Sequence, residues 1–155
     1  MIETALGTNI AFTAPHRLAT KAGFDILEAG GSAVEAMVAA AAQIAVVYPH
    51  MNSIGGDGFW LIKKEGKNPV AISACGPAAQ NANLDWYAEK GHSKTIPTRG
   101  PLAALTVPGT ISGWQLALDL YGAVSPIPLT ELLSAAINKA KNGIAVSQNQ
   151  YDTLK

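Results

Sequence analysis

This 155-residue sequence predicts a mixed α/β (α+β) fold on three observations. A helix without a polar face, interrupted only by Glu35 and Gln43 and with a marked start, covers residues 33–47. Two short apolar runs, 59–62 and 69–74, flank a charged loop, and apolar residues return at helical spacing over 111–121 and 130–142. Helices and strands do not alternate regularly, which points to a mixed layer and not to a βαβ array.

In chain order, residues 1–15 read as a short strand or arm ending at Ala14-Pro15. Leu18, Ala22, Ile26 and Ala29 then recur at helical spacing, so a first helix is expected from His16 to Ala29. Gly30-Gly31 stops it, and Ser32-Ala33-Val34-Glu35 has the form of a capping box that opens a second. That second helix has no polar face, which is tolerated only under cover on nearly all sides. Pro49 ends it.

Gly55-Gly56-Asp57-Gly58 reads as a tight turn into a buried strand over 59–62. Residues 63–68 form a solvated hairpin loop, and 69–74 the returning strand. A short helix over 84–90 is closed by Gly91, and the prolines at 97, 101 and 108 make 91–110 an ordered loop with short extended pieces. Two amphipathic helices, 111–121 and 130–142, are separated by a turn at Pro126 and Pro128.

The composition narrows the partners. Eleven basic residues balance eleven acidic ones without a Lys/Arg stripe, so no nucleic-acid or anionic-membrane partner is expected. The single Cys75 excludes an internal disulfide and a cysteine-built metal site. His16, His50 and His92 are scattered, which predicts capping or surface roles, no metal and no cofactor. Residues 33–47 fall short of the roughly 20 a bilayer-spanning helix needs. Met1 to Ala5 show no secretory signal, and a cytoplasmic location is the expectation.

Few residues suggest chemistry by themselves. The Gly55–58 turn could form a backbone nest for an anion but lacks the Lys-Ser/Thr of a phosphate loop. Cys75 follows a predicted strand, where a nucleophile could sit, yet no neighbouring residue marks it as activated, so a small buried residue is expected. Asp57, Asp85 and Glu89 form no evident carboxylate pair.

A resemblance carries the reading further. Ala14-Pro15-His16, Ala19-Thr20-Lys21-Ala22-Gly23 and residues 26–36 resemble the opening of γ-glutamyltranspeptidases. Residues 48–59, residues 105–110 with Gly113-Trp114, and residues 140–146 resemble three later blocks of that family in the same order. Asp57 departs from the pattern, which usually has a glycine there.

The resemblance implies an αββα sandwich of the N-terminal-nucleophile hydrolase type, made as a precursor that cuts itself so that a threonine becomes a new N-terminus. That hydroxyl attacks an amide with its own α-amine as base. It also implies that the nucleophilic threonine and the oxyanion glycines lie beyond Lys155, so no catalytic residue is expected here. Residues 1–155 are then one incomplete domain, partnered by the remainder of the large subunit and by the small subunit, and inactive alone. The implied substrates are γ-glutamyl amides of the glutathione type, hydrolysed or transferred.

One departure opens alternatives. In the family an arginine after the hairpin clamps the substrate's α-carboxylate, and here that position falls on Ser73 or Cys75, neither of which can form a bidentate ionic pair. Arg99 matches no family position. A related acylase acting on other amides, or an inactive interaction module, are the alternative expectations.

Overall fold

The computed structural model describes residues 6–123 and 126–155, and the expectations placed on residues 1–5 lie outside that range. The chain forms two compact units, one of Met1–Ser53 with Trp114–Lys155 and one of Ile54–Gly113.

In the first unit, α1 (Arg17–Glu28) starts where His16, in extended conformation, accepts the Leu18 N–H on Nδ1 at 3.2 Å. His16 and Ala29 are thus the caps of the expected helix and not members of it. Gly30 takes the left-handed conformation at φ 86°, and the Gly31 N–H returns to the Ile26 carbonyl, a closure that suits glycine because a Cβ is strained there.

The Ser32 hydroxyl then accepts from the Glu35 N–H while the Glu35 carboxylate accepts from the Ser32 N–H, which starts α2 (Ala33–Val47). Ala19, Ala22 and Ile26 of α1 and Val34, Val38, Ala39, Ala42 and Val47 of α2 form the core of this unit. Alanine at the contacts lets the two axes approach closely. Cover is not complete as expected, since Met37 remains 45% exposed.

The helix expected over 130–142 is two helices, α5 (Leu129–Leu132) and α6 (Ser134–Asn142). Leu133 between them has ψ −6°, far from the helical value of about −42°, and this single residue breaks the run. A further helix, α7 (Gln148–Thr153), was not expected; the Ser147 hydroxyl caps it by accepting the Gln150 N–H. Its Asn149 side-chain oxygen lies 3.2 Å from the Tyr48 hydroxyl, which donates to it, and 2.6 Å from His50 Nε2.

In the second unit, β1 (Gly58–Ile62) and β2 (Val70–Ala74) form an antiparallel hairpin in the register Gly58–Ala74, Phe59–Ser73, Trp60–Ile72, Leu61–Ala71, Ile62–Val70. Successive side chains alternate between faces. Trp60, Ile72 and Ala74 face inward, whereas Phe59 and Leu61 are 75% and 79% exposed, so the expectation of a buried strand is corrected to a strand buried on one side. The physical reason is the two-stranded sheet, whose second face nothing among the described residues covers.

Past the hairpin, α3 (Leu84–Glu89) is capped by the Asn83 side chain, and its buried Tyr87 donates its hydroxyl to the Leu102 carbonyl at 2.9 Å. Residues 91–110 are the expected irregular stretch, with a 3₁₀ turn at Pro101–Ala103 and one bridge between Ala78 and Thr106. Then α4 (Thr110–Tyr121) begins.

Candidate substrate-binding site

Four residues singled out by sequence, Gly56, Asp57, Ser73 and Cys75, converge at the open end of the β1–β2 hairpin, opposite its loop, whereas Asp85 and Glu89 lie on α3. Three strands of chain meet there: residues 55–58 entering β1, residues 75–78 leaving β2, and residues 106–110 approaching α4. The Gly56 carbonyl accepts from the Gly109 N–H at 3.0 Å, the Thr110 N–H at 3.0 Å and the Thr110 hydroxyl at 2.7 Å. The Val107 N–H donates to the Pro77 carbonyl at 3.0 Å.

Two glycines make this crossing possible. A Cβ on Gly76 would stand 1.6 Å from the Val107 oxygen, and one on Gly109 would stand 2.1 Å from the Ala74 oxygen. Both contacts are with backbone, which cannot swing aside. The Gly-rich turn takes part through its backbone, the Gly56 carbonyl being turned to the third segment, while a Cβ on Gly56 would meet nothing within 4 Å.

Ser73 and Cys75 both lie on the exposed face. Ser73 is opposite Phe59 in the register, and its hydroxyl donates to Cys75 Sγ at 3.6 Å, which puts the two on one side of the chain. Cys75 is thus a free, exposed thiol and not the buried small residue expected, because it sits one residue past β2 on the uncovered side. No guanidinium occupies this stretch, since the chain's two arginines are Arg17 and Arg99.

Asp57, immediately before Gly58, stands at the same end as Cys75, immediately after Gly58's partner Ala74. Its Oδ1 accepts from the Thr106 hydroxyl at 3.3 Å, and both side chains are exposed. Sequence reasoning gave Thr106 no part in the site. Its only signal was membership of the 105–110 block, and contact between positions 49 apart cannot be read from spacing.

Other candidates do not join this group. His16 is a helix cap, His50 contacts Asn149, and His92 lines a separate cavity of about 340 Å³ with Lys94 and Tyr87. Among the described residues no three His, Cys, Asp or Glu side chains come together as a metal site would need, and no helix is long and apolar enough to cross a membrane.

The pattern described as gamma-glutamyltranspeptidase matches residues 19–155. The chain belongs to the γ-glutamyltranspeptidase family. This γ-glutamyltranspeptidase-family chain is 51% identical over 154 residues to the oxamate amidohydrolase proenzyme of Klebsiella pneumoniae, covering 97% of this chain and 28% of that protein. It therefore spans little more than a quarter of that relative's length.

Among solved structures, the Helicobacter pylori γ-glutamyltranspeptidase superposes with a TM-score of 0.82 at 34% identity, over 99% of this chain and 43% of that one. A cephalosporin acylase from Bacillus halodurans superposes with a TM-score of 0.81 at 33% identity, over 89% and 25%. The mixed α/β class read from the sequence is thus the class of these family structures. Their names span transpeptidase, amidohydrolase and acylase, so membership alone leaves the acyl group open.

Proposed function

We propose that residues 1–155 are one incomplete domain of a self-processing amidohydrolase, forming the acyl-binding wall for a threonine nucleophile carried elsewhere in the same precursor, and that its substrate is a short non-γ-glutamyl amide. The observation that carries the substrate assignment is the exposed Ser73–Cys75 pair, on the positions to which the family resemblance assigns an arginine.

The chemistry supports a short acyl group. In a γ-glutamyl amide the α-carboxylate is three carbons beyond the scissile carbonyl, whereas in oxamate it is bonded directly to that carbonyl. With the carbonyl held at one nucleophile, a guanidinium placed for the distant carboxylate cannot meet the near one. A thiol and a hydroxyl at the distal position cost a short substrate nothing. The 51% identity to an oxamate amidohydrolase supports the same reading.

In the reaction the threonine oxygen would bond to the amide carbon, its proton passing by way of the α-amine to the departing nitrogen. Water would then cleave the ester, releasing a carboxylate and regenerating the hydroxyl. This chain's residues bind and orient; none performs a bond-making step.

A second reading, hydrolysis or transfer of γ-glutamyl groups, is favoured by the 0.82 superposition on a γ-glutamyltranspeptidase. The test is direct. Full-length processed protein should release ammonia and oxalate from oxamate with a higher kcat/KM than it shows for γ-glutamyl p-nitroanilide. The reverse preference overturns the assignment in favour of the second reading.

A further inference from the structure

The site's distal end holds more than the absence of a positive charge. Asp57 puts a carboxylate there, on an exposed position next to the turn that brings the chain into β1. Thr106 holds that carboxylate by its hydroxyl. Thr106 is itself fixed, since it bridges to Ala78 and its neighbour Val107 donates to Pro77. The Gly76 and Gly109 crossings lock these strands together, so Asp57 and the Ser73–Cys75 pair share one rigid end of the hairpin.

From this arrangement we infer that Asp57, oriented by Thr106, is a specificity-determining residue that excludes acyl groups ending in a carboxylate. The inference rests on the short-acyl reading above and adds an active exclusion to it. A missing arginine only withdraws affinity from a glutaryl-like chain. A fixed carboxylate adds repulsion between like charges, which a distal substrate carboxylate would meet at close range. Oxamate escapes because its carboxylate lies at the reacting carbonyl and not at the distal end.

The arrangement also predicts an interaction between positions. A guanidinium introduced at position 75 would find Asp57 at the same hairpin end and would pair with it before pairing with substrate. Installing the arginine alone should therefore do little, and removing the Asp57 charge should release its effect.

The experiment uses full-length processed protein and two chromogenic substrates, glutaryl p-nitroanilide and butyryl p-nitroanilide, which differ by a terminal carboxylate. A structural disturbance lowers kcat/KM for both; a charge effect moves their ratio. D57N should raise the glutaryl-to-butyryl ratio about tenfold. D57E should keep the ratio low, and T106V, which frees the carboxylate without removing it, should shift it part of the way. On γ-glutamyl p-nitroanilide, C75R should gain less than threefold alone and at least tenfold more when combined with D57N.

An unchanged ratio in D57N, or an equal gain from C75R with and without D57N, overturns the inference. If D57N does not yield processed protein, the T106V ratio decides: a shift supports the exclusion and no shift overturns it. Preference of the wild-type protein for oxamate over γ-glutamyl anilide is measured separately, so failure of the underlying reading is seen on its own.

Discussion

The Ile127 N–H donates to Glu35 Oε1 at 2.8 Å, joining two positions 92 residues apart through a carboxylate that is fully buried. The other oxygen, Oε2, accepts the Ser32 N–H at 2.7 Å. A capping-box glutamate normally serves its own helix only. Here it also fixes the turn before α5, so one side chain sets both the start of α2 and the path of a distant segment.

Removing that buried carboxylate leaves the part-buried Ser32 and Ile127 N–H groups without acceptors, each costing at most about 1–3 kcal/mol. Glu35→Ala should therefore destabilise the full-length protein by about 3 kcal/mol, read as a lowered denaturant midpoint with an unchanged slope. Glu35→Gln retains one acceptor oxygen and should lose roughly half as much. Equal stability of Glu35→Ala and wild type would show that water replaces the lost acceptor.

The same contact predicts a response to acid. Burial pushes the Glu35 carboxyl pKa up, but N–H donation from Ser32, Ile127 and Ala123 and the Ser32 side chain outweigh it and hold the pKa below its ordinary value. The native state then binds a proton less readily than the unfolded chain. The stabilisation is complete above the unfolded carboxyl value of about 4.3 and is lost as pH falls through the native value. Melting temperature measured from pH 6 to pH 3 should fall less steeply in Glu35→Gln than in wild type.

The glycine crossing gives a sharp contrast. Gly76→Ala and Gly109→Ala each drive a methyl into a backbone carbonyl, while Gly56→Ala meets nothing within 4 Å. The first two variants should accumulate as insoluble or unprocessed precursor, and Gly56→Ala should match the wild-type yield of processed protein on a denaturing gel. Processing of all three at wild-type yield would mean that the strands can separate at no cost.

Phe59 and Leu61 present bare apolar surface. Expressed without the rest of the precursor, residues 1–155 should bind a hydrophobic dye such as ANS, and Phe59→Ser with Leu61→Ser should cut that fluorescence by at least half. No amidase turnover is expected from this piece. Dye binding unaffected by the double substitution would place the exposed surface elsewhere.

Local signals explain which parts of the fold were legible. Ser32 with Glu35, Gly30, Gly91, and the two apolar runs around the Lys-rich loop each act within a few residues, and α1, α2, α3 and the hairpin lie where they are expected. The Ser147 cap of α7 is equally local, but the helix it starts is only six residues long and carries no apolar periodicity. Strand burial was not legible, because Phe59 and Trp60 differ in exposure only through what lies against each face. Nor was the Asp57–Thr106 contact, which depends on how three chain segments cross. The Ser73 and Cys75 positions came from family resemblance, and their exposure on one face had to come from the register.

The Gly56 carbonyl, with the backbone and hydroxyl of Thr110 upon it, makes chain length at different points unequal in effect. Extra residues grafted at 63–68 would only lengthen a protruding tip, leaving both anchorages the same distance apart. One residue added at 107–109 would carry the start of α4 about 3.3 Å past its carbonyl and turn the next side chain to the opposite side. An epitope or a fluorophore attachment therefore belongs on the lysine tip, where it can report on the folded protein without disturbing how the helix begins.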